Sequence, residues 1–134
     1  MKPTRSSHLD ASISRLEIVR VAYLALAWIF MSCLLVQMFL AGLALFTPTM
    51  DWSMHRTFVE FFAPIPLVMF LLALPLRRQR WLSLSLFILV ALQFMTIHLA
   101  IPIIAALHPV IALLLFWGAL VTVKRHPSGE GRTA

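Results

Sequence analysis

Three histidines, His55, His98 and His108, lie near turns between long apolar segments of the chain. A neutral imidazole is a common ligand of haem iron and of copper, so a group of such side chains predicts a metal-competent site. His98 and His108 flank one turn, and His55 is expected to reach the same edge from another. The two remaining histidines, His8 and His126, lie in polar terminal segments and are interpreted as solvated surface residues.

The segments that carry these histidines have the composition of membrane-spanning helices. Of the 134 residues, 61% are hydrophobic and 12% are charged, which excludes an ordinary soluble domain. A spanning helix needs about 20 mainly apolar residues. Four stretches reach or approach that length, namely Val21–Phe46, Phe58–Leu76, Leu82–Ala100 and Pro109–Val123. The sequence therefore predicts an all-α fold, a four-transmembrane-helix antiparallel bundle.

The positive charges of the short flanking segments predict the orientation of this bundle. Lysine and arginine collect on the cytoplasmic side of spanning helices. They occur here before the first stretch, between the second and third, and after the fourth, at Lys2, Arg5, Arg15, Arg20, Arg77, Arg78, Arg80, Lys124, Arg125 and Arg132. Only Arg56 falls on the opposite side, so both termini are expected in the cytoplasm. The net charge of +6 is then explained by the orientation of the bundle in the membrane and by attraction to anionic lipid headgroups. It does not indicate nucleic-acid binding.

The chain divides into one helical domain and two polar ends. We expect residues 1–13 to form a flexible cytoplasmic N-terminus, residues 14–126 the transmembrane domain, and residues 127–134 a flexible tail. Ser14 and Glu17 fit a capping box that would begin the first helix. Pro64 and Pro66 interrupt the second stretch, because each proline removes an amide donor and clashes with the preceding turn. That interruption is read either as a bend or as a point where the bundle opens.

A count along each predicted helix places the three histidines at similar depths. At about 1.5 Å per residue, His55, His98 and His108 lie roughly 31, 26 and 22 Å from the inner boundary of their helices. All three therefore fall in the outer half of a hydrocarbon core about 30 Å thick. A histidine at a helix end is also a common cap or interface anchor, and that reading remains open for each of the three.

The first chemistry that fits this placement is bis-histidine ligation of haem b. The second and fourth helices of an up-down bundle are diagonal neighbours, so His55 and His108 could face each other across the core. Gly42 would allow the flat ring a close approach, and Arg56 could neutralise a propionate. Gln37, a glutamine in hydrocarbon, is expected to face either a neighbouring helix or the ligand.

The second chemistry is a bare copper ion. Met50, Met54 and Met95 join the three histidines in a Met/His set suited to copper, although methionine is also common in apolar helices as plain packing. The sequence has no His-x-x-x-His pair or paired carboxylates for zinc hydrolysis, and no nucleophile and base are arranged for covalent catalysis. Whether the protein is an enzyme is left open.

Several short segments carry a resemblance to known families. They are Val36–Ala44, Trp52, His55-Arg56 and His108-Pro109-Val110 before Phe116-Trp117. Together they resemble a family of small four-helix bacterial membrane proteins of uncharacterised function. More loosely, a histidine at the outer start of the second helix and one on the fourth resemble one four-helix half of haem A synthase. That resemblance implies a haem held between the two histidines near the outer surface.

These observations lead to one main hypothesis and its alternatives. The main hypothesis is a b-type haem protein of the bacterial cytoplasmic membrane, with His55 and His108 as axial ligands and His98 as a substitute ligand or hydrogen-bond donor. It would serve electron transfer or haem handling. Expected partners are membrane lipids, a quinone or another redox partner, and a further copy of the chain in a homo-oligomer. The alternatives are a non-enzymatic transport or accessory subunit and a purely structural subunit.

Overall fold

The described part of the chain is helical throughout. The computed structural model describes residues 5–76, 79–99 and 101–125, and these ranges contain no β-strand. The helices are α1 (Arg5–Phe46), α2 (Ser53–Phe62), α3 (Ile65–Leu72), α4 (Gln79–His98), α5 (Pro102–Ala105) and α6 (His108–Lys124). The prediction of an all-α fold is confirmed.

Four helical stretches are long and apolar enough to cross a membrane. They are Arg15–Phe46, Ser53–Leu72, Gln79–His98 and Pro102–Lys124. The second stretch combines α2 with α3, and the fourth combines α5 with α6. The four candidate spanning helices that the sequence predicted are therefore present in the structure. The side of the membrane that each terminus faces stays a prediction.

The first helix begins earlier than the capping box predicted. α1 begins at Arg5, so the segment from Ser14 to Glu17 lies within the helix and does not begin it. Residues 5–13 contain neither proline nor glycine, so no residue in this segment disfavours continuation of the helix upstream. Flexibility of residues 1–13 stays a prediction, and the tail at 127–134 lies outside the described residues.

Prolines divide the second and fourth spans where the sequence places them. α2 ends at Phe62 and α3 begins at Ile65, with Pro64 at the N-cap and Pro66 in the first turn. α6 begins at His108 with Pro109 in its first turn, where the missing amide hydrogen costs nothing. The starting residue of α6 thus sets the height at which His108 stands in the bundle.

The helices close into a ring around an apolar core. α1 packs against α2, α3 and α6, while α4 packs against α3, α5 and α6. The span made of α2 and α3 is consequently diagonal to α6, and α1 is diagonal to α4. The largest fully buried apolar side chains of this core are Tyr23, Phe30, Met69 and Leu86.

A hydrogen bond joins the diagonal helices at one end of this core. Tyr23 Oη lies 3.0 Å from Ser83 Oγ, and both side chains are buried. Since the Ser83 hydroxyl donates to the Gln79 carbonyl at 3.0 Å, the tyrosine is the donor. Successive spans joined by short turns alternate in direction, so this end is the one where α1 begins and α6 ends. We call it the near end of the bundle, and the opposite end the far end.

Close packing of α6 on α4 depends on a glycine. A Cβ added at Gly118 would lie 3.0 Å from Leu86 Cδ2, whereas one added at Gly42 would meet no heavy atom within 4 Å. Gly118→Leu is expected to lower the free energy of unfolding by about 1–3 kcal/mol through overpacking. Gly42→Leu, the matched control, is expected to leave it nearly unchanged. Thermal unfolding of the two variants in detergent measures both, and equal midpoints would contradict the packing shown by α4 and α6.

Candidate functional site

A layer of polar side chains lies at the far end of the bundle, and all four spans contribute to it. The layer consists of Gln37 from α1, His55 from α2, Gln93 and Thr96 from α4, and His108 from α6, and we call it the polar layer. Each glutamine continues the inward-facing side of its helix. Gln37 follows Phe30 and Leu34 of α1 at helical spacing, as Gln93 follows Leu86 and Val90 of α4. These positions would ordinarily hold apolar residues.

Gln37 and His55 form a reciprocal contact between α1 and α2. Gln37 Nε2 donates to the backbone carbonyl of His55 at 2.8 Å, and His55 Nδ1 lies 3.3 Å from the backbone carbonyl of Gln37. A carbonyl oxygen only accepts, so His55 carries its hydrogen on Nδ1 and its lone pair on Nε2. The ring is also held edge-on against Trp52, with centroids 5.5 Å apart.

His108 is fixed in the same tautomer by Thr96. The Thr96 hydroxyl donates its one hydrogen to the Gln93 carbonyl at 2.8 Å. Thr96 Oγ1 lies 3.1 Å from His108 Nδ1, so the imidazole must donate to it. His108 therefore also presents a lone pair on Nε2. Thr96 is 4% exposed, and this contact is shielded from competing water.

The polar layer contains both anchored imidazoles. His55 and His108 are both half-buried. They belong to diagonal spans, as the sequence predicted. Each ring is held at Nδ1 and keeps a lone pair on Nε2. A hydrogen bond at Nδ1 fixes the orientation of an imidazole and raises the basicity of its other nitrogen.

His98 is not brought into the polar layer. It is exposed, and its Nδ1 lies 2.8 Å from the Phe94 carbonyl one turn earlier on α4. The expectation that three histidines would converge is therefore not met for His98, which shares their depth but lies on another face of its helix.

Two other predicted contributors lie toward the surface of the bundle at the far end. Arg56 is exposed, and its Nε donates to the Trp52 carbonyl at 3.4 Å. Gly42 borders open space, as a Cβ there would meet no heavy atom within 4 Å.

The three methionines of the predicted copper set, Met50, Met54 and Met95, have 41%, 53% and 52% of their surface exposed. Across residues 5–76, 79–99 and 101–125, no three His, Cys, Asp or Glu side chains converge as a metal site.

Two buried amide oxygens of the polar layer have no donor. Gln37 Oε1 and Gln93 Oε1 are both inaccessible, with no hydrogen-bond partner in the described part of the chain. Gln37 is only 9% exposed as a residue. An unpaired buried acceptor costs about 1–3 kcal/mol. Among the described residues a further buried polar atom without a partner, Arg80 Nε, lies at the near end.

Sequence reasoning missed the part that Thr96 plays. Nothing in the spacing of the sequence paired Thr96 with His108. Their positions in the sequence could have indicated this contact, because Thr96 and His108 are equally far along the chain from Pro102 in the turn between their helices. The contact between Tyr23 and Ser83 had no comparable signal.

The loop before α2 sets the residue at which α2, the helix that carries His55, begins. The Asp51 carboxylate accepts hydrogen bonds from the Ser53 hydroxyl and, at 3.0 Å, from the Ser53 amide. The Ser53 hydroxyl, followed by the Ser53 amide, lowers the pKa of Asp51 below its usual value. The carboxylate thereby satisfies an amide in the first turn of α2, which has no partner within the helix.

Removal of the Ser53 hydroxyl is expected to raise the pKa of Asp51 part of the way toward its ordinary value, because the amide donor remains. The pKa of Asp51 is lower in the folded protein than in the unfolded chain, so its hydrogen bonds with Ser53 stabilise the folded state at pH values above the ordinary carboxyl range. This stabilisation is lost as the pH falls through the lowered pKa. A carbon-13 NMR titration of the Asp51 carboxyl in Ser53→Ala measures the shift. An unchanged titration curve would show that the hydroxyl does not hold the carboxylate.

Thr96→Val is expected to release the tautomer of His108 while preserving the shape of the side chain. The valine offers no acceptor, so the Nδ1 hydrogen of His108 loses its buried partner, at a cost of about 1–3 kcal/mol. Nitrogen-15 NMR of labelled histidine reports the result as a shift from one tautomer to a mixture. His55 in the same sample is the internal control, and a His108 spectrum equal to that of the parent would contradict the assignment.

Comparison with known proteins gives a match to one family model over part of the chain and no activity. Residues 37–101 match a family of unknown function, DUF6220, a range that includes Gln37, His55, Gln93 and Thr96 and ends before His108. The predicted resemblance to an uncharacterised family is confirmed, while the looser resemblance to haem A synthase receives no support. No curated protein and no solved structure matches the chain.

Proposed function

We propose that the protein is a membrane-integral b-type haem protein with His55 and His108 as its axial ligands. The observation that carries the proposal is the pair of half-buried imidazoles on diagonal spans, each tied at Nδ1 and each presenting Nε2. Its role would be electron transfer or haem handling. When bound, the haem would supply one-electron chemistry, and His55 and His108 would hold it.

The number of converging ligands favours a haem over a bare ion. A porphyrin brings four nitrogens of its own, so the protein needs to supply only two. A naked zinc or copper ion takes three or four protein ligands in most sites. In the described part of the chain the third histidine, His98, points away from the pair, and Met50, Met54 and Met95 are turned outward. Copper remains an alternative that elemental analysis separates from iron.

The surroundings of the imidazole pair fit a flat apolar ring with acidic edges. Phe58 and Phe94 are partly buried against the core, with Phe62 fully buried nearby. The open space at Gly42 and the exposed guanidinium of Arg56 lie at the same end of the bundle. Aromatic side chains would pack the faces of the ring, and Arg56 would pair with a propionate at the membrane surface.

Charge favours a location in the bacterial cytoplasmic membrane with the polar layer toward the outside. Arg15, Arg20, Lys124 and Arg125 flank the near end, whereas Arg56 lies at the far end. The positive-inside rule then places both termini in the cytoplasm. In this orientation the haem would lie close to the outer surface of the bilayer.

A second candidate function is a non-enzymatic transport or accessory subunit. It rests on the break between α2 and α3 at Pro64 and on the unpaired amide oxygens of Gln37 and Gln93. Freed backbone groups at such a break line either a protein contact or a polar path in membrane proteins. This candidate predicts a purified protein without iron.

Spectroscopy of variants tests the haem proposal. After expression with excess haem, the parent protein is expected to show a Soret band and a six-coordinate low-spin spectrum. His55→Ala and His108→Ala are each expected to lose the low-spin form, because one axial ligand is removed. His98→Ala is the matched control, since it removes an imidazole of the same end that lies outside the pair, and its spectrum should equal the parent spectrum.

Two results would count against the haem proposal. A purified parent protein without a Soret band would refute haem binding altogether. A low-spin spectrum that survives in His55→Ala but disappears in His98→Ala would assign the ligands to a different pair.

A further inference from the structure

Glu60 is a carboxylate on the outer surface of a membrane-spanning helix. It is exposed, and it lies in α2 within the span Ser53–Leu72. At about 1.5 Å per residue, it lies roughly 8 Å farther from the far end than His55 does. A charged side chain at such a depth normally faces the inside of a protein and is paired there, because hydrocarbon does not solvate it. The exposure of Glu60 therefore indicates a partner outside its own chain.

Arg56 lies one turn before Glu60 on nearly the same side of α2, and it is directed away from the carboxylate. Both residues are exposed. Arg56 Nε donates to the Trp52 carbonyl at 3.4 Å, so the side chain runs toward the start of α2, whereas Glu60 lies toward its end. The other described arginines and lysines belong to the near end, at Arg15, Arg20, Arg80, Lys124 and Arg125. Arg56 is thus the one strong cation of the far end among the described residues.

The surface of the second span around these two charges is small-sided and apolar. Ser53 and Thr57 of α2 are exposed there, and α3 continues the same surface with Leu67 and Leu71, which are 40% and 54% exposed. Small side chains let two helices approach closely in a membrane, where burial of apolar surface alone drives no association. This surface therefore has the composition of a contact between helices.

We propose that this surface binds the same surface of a second copy of the chain through two reciprocal ion pairs between Arg56 and Glu60. Copies that enter the membrane in one orientation are related by a two-fold axis along the membrane normal, so equal residues lie at equal depth. Arg56 of one copy then lies one helical turn, about 6 Å along the axis, from the depth of Glu60 of the other. The two-fold axis makes the second pair identical to the first.

The opposite signs of the two charges favour a second copy over other partners. Lipid headgroups lie at the surface of the bilayer, whereas Glu60 lies deeper. A different protein would need an acidic and a basic residue in matching order at these depths, and a second copy supplies both by symmetry. A guanidinium has several N–H donors, so Arg56 can contact Glu60 of the second copy and a haem propionate together. The dimer itself does not depend on haem.

Exchange of charges between two copies tests the proposal. Full-length haem-free copies that carry donor or acceptor dyes at the C-terminus are mixed in lipid vesicles, and energy transfer is measured over a range of protein-to-lipid ratios. Glu60→Arg and Arg56→Glu are each expected to weaken self-association about a hundredfold or more, because like charges then meet in both pairs. A mixture of these two variants sets an arginine against a glutamate in both pairs, and it is expected to associate as the parent does.

The mixture also separates a contact between copies from a pair within one chain. Each variant lacks the pair within its own chain, so a mixture that associates no better than either variant alone would overturn the proposal, as would a monomeric parent. Glu60→Gln keeps the shape of the side chain and is expected to weaken association about tenfold, and unchanged energy transfer in it would be equally contrary. Glu17→Arg, which reverses an exposed carboxylate of the near end, is the matched control and should associate as the parent does. Thermal midpoints confirm that each variant folds.

Discussion

The structure depends on the rule that polar groups in hydrocarbon must pair within the protein, because no water is present to satisfy them. Gln37 and His55 obey it by exchanging contacts, each reaching the backbone of the other. This exchange fixes the separation of α1 and α2 and the rotation of both helices. The contact between Thr96 and His108 does the same for α4 and α6. Helix pairing at the far end therefore depends on hydrogen bonds as well as on apolar packing.

The two ends of the bundle use their polar groups differently. At the near end Tyr23, Ser83 and the Gln79 carbonyl form a closed chain of hydrogen bonds. At the far end the chains stop at acceptors, and both glutamine oxygens are left over. A closed chain of hydrogen bonds stabilises a fold, whereas a buried group without a partner costs free energy. Such groups occur at both ends of the described bundle, because Arg80 Nε at the near end is also buried without a partner.

The spans and their breaks could be predicted from the sequence because they depend on apolar length and on proline, both of which are local. The polar layer could be predicted only in part. Counting residues gives depth, and depth grouped His98 with the other histidines. Successive residues are about 100° apart around a helix, so Thr96 returns close to the face of Gln93 while His98 turns away. Which face is inward follows from packing among all four spans, and this depends on contacts between distant residues.

The unequal hydropathy of the spans bears on how the protein enters the membrane. The stretch Ser53–Leu72 has a mean hydropathy of 1.3, against 2.3 for Arg15–Phe46. During synthesis the first span is complete before the second emerges, so Gln37 is already in the bilayer when His55 arrives. Pairing with Gln37 then offsets part of the cost of carrying a polar ring into lipid. The same contact that joins α1 to α2 in the finished bundle thus assists insertion of its least apolar span.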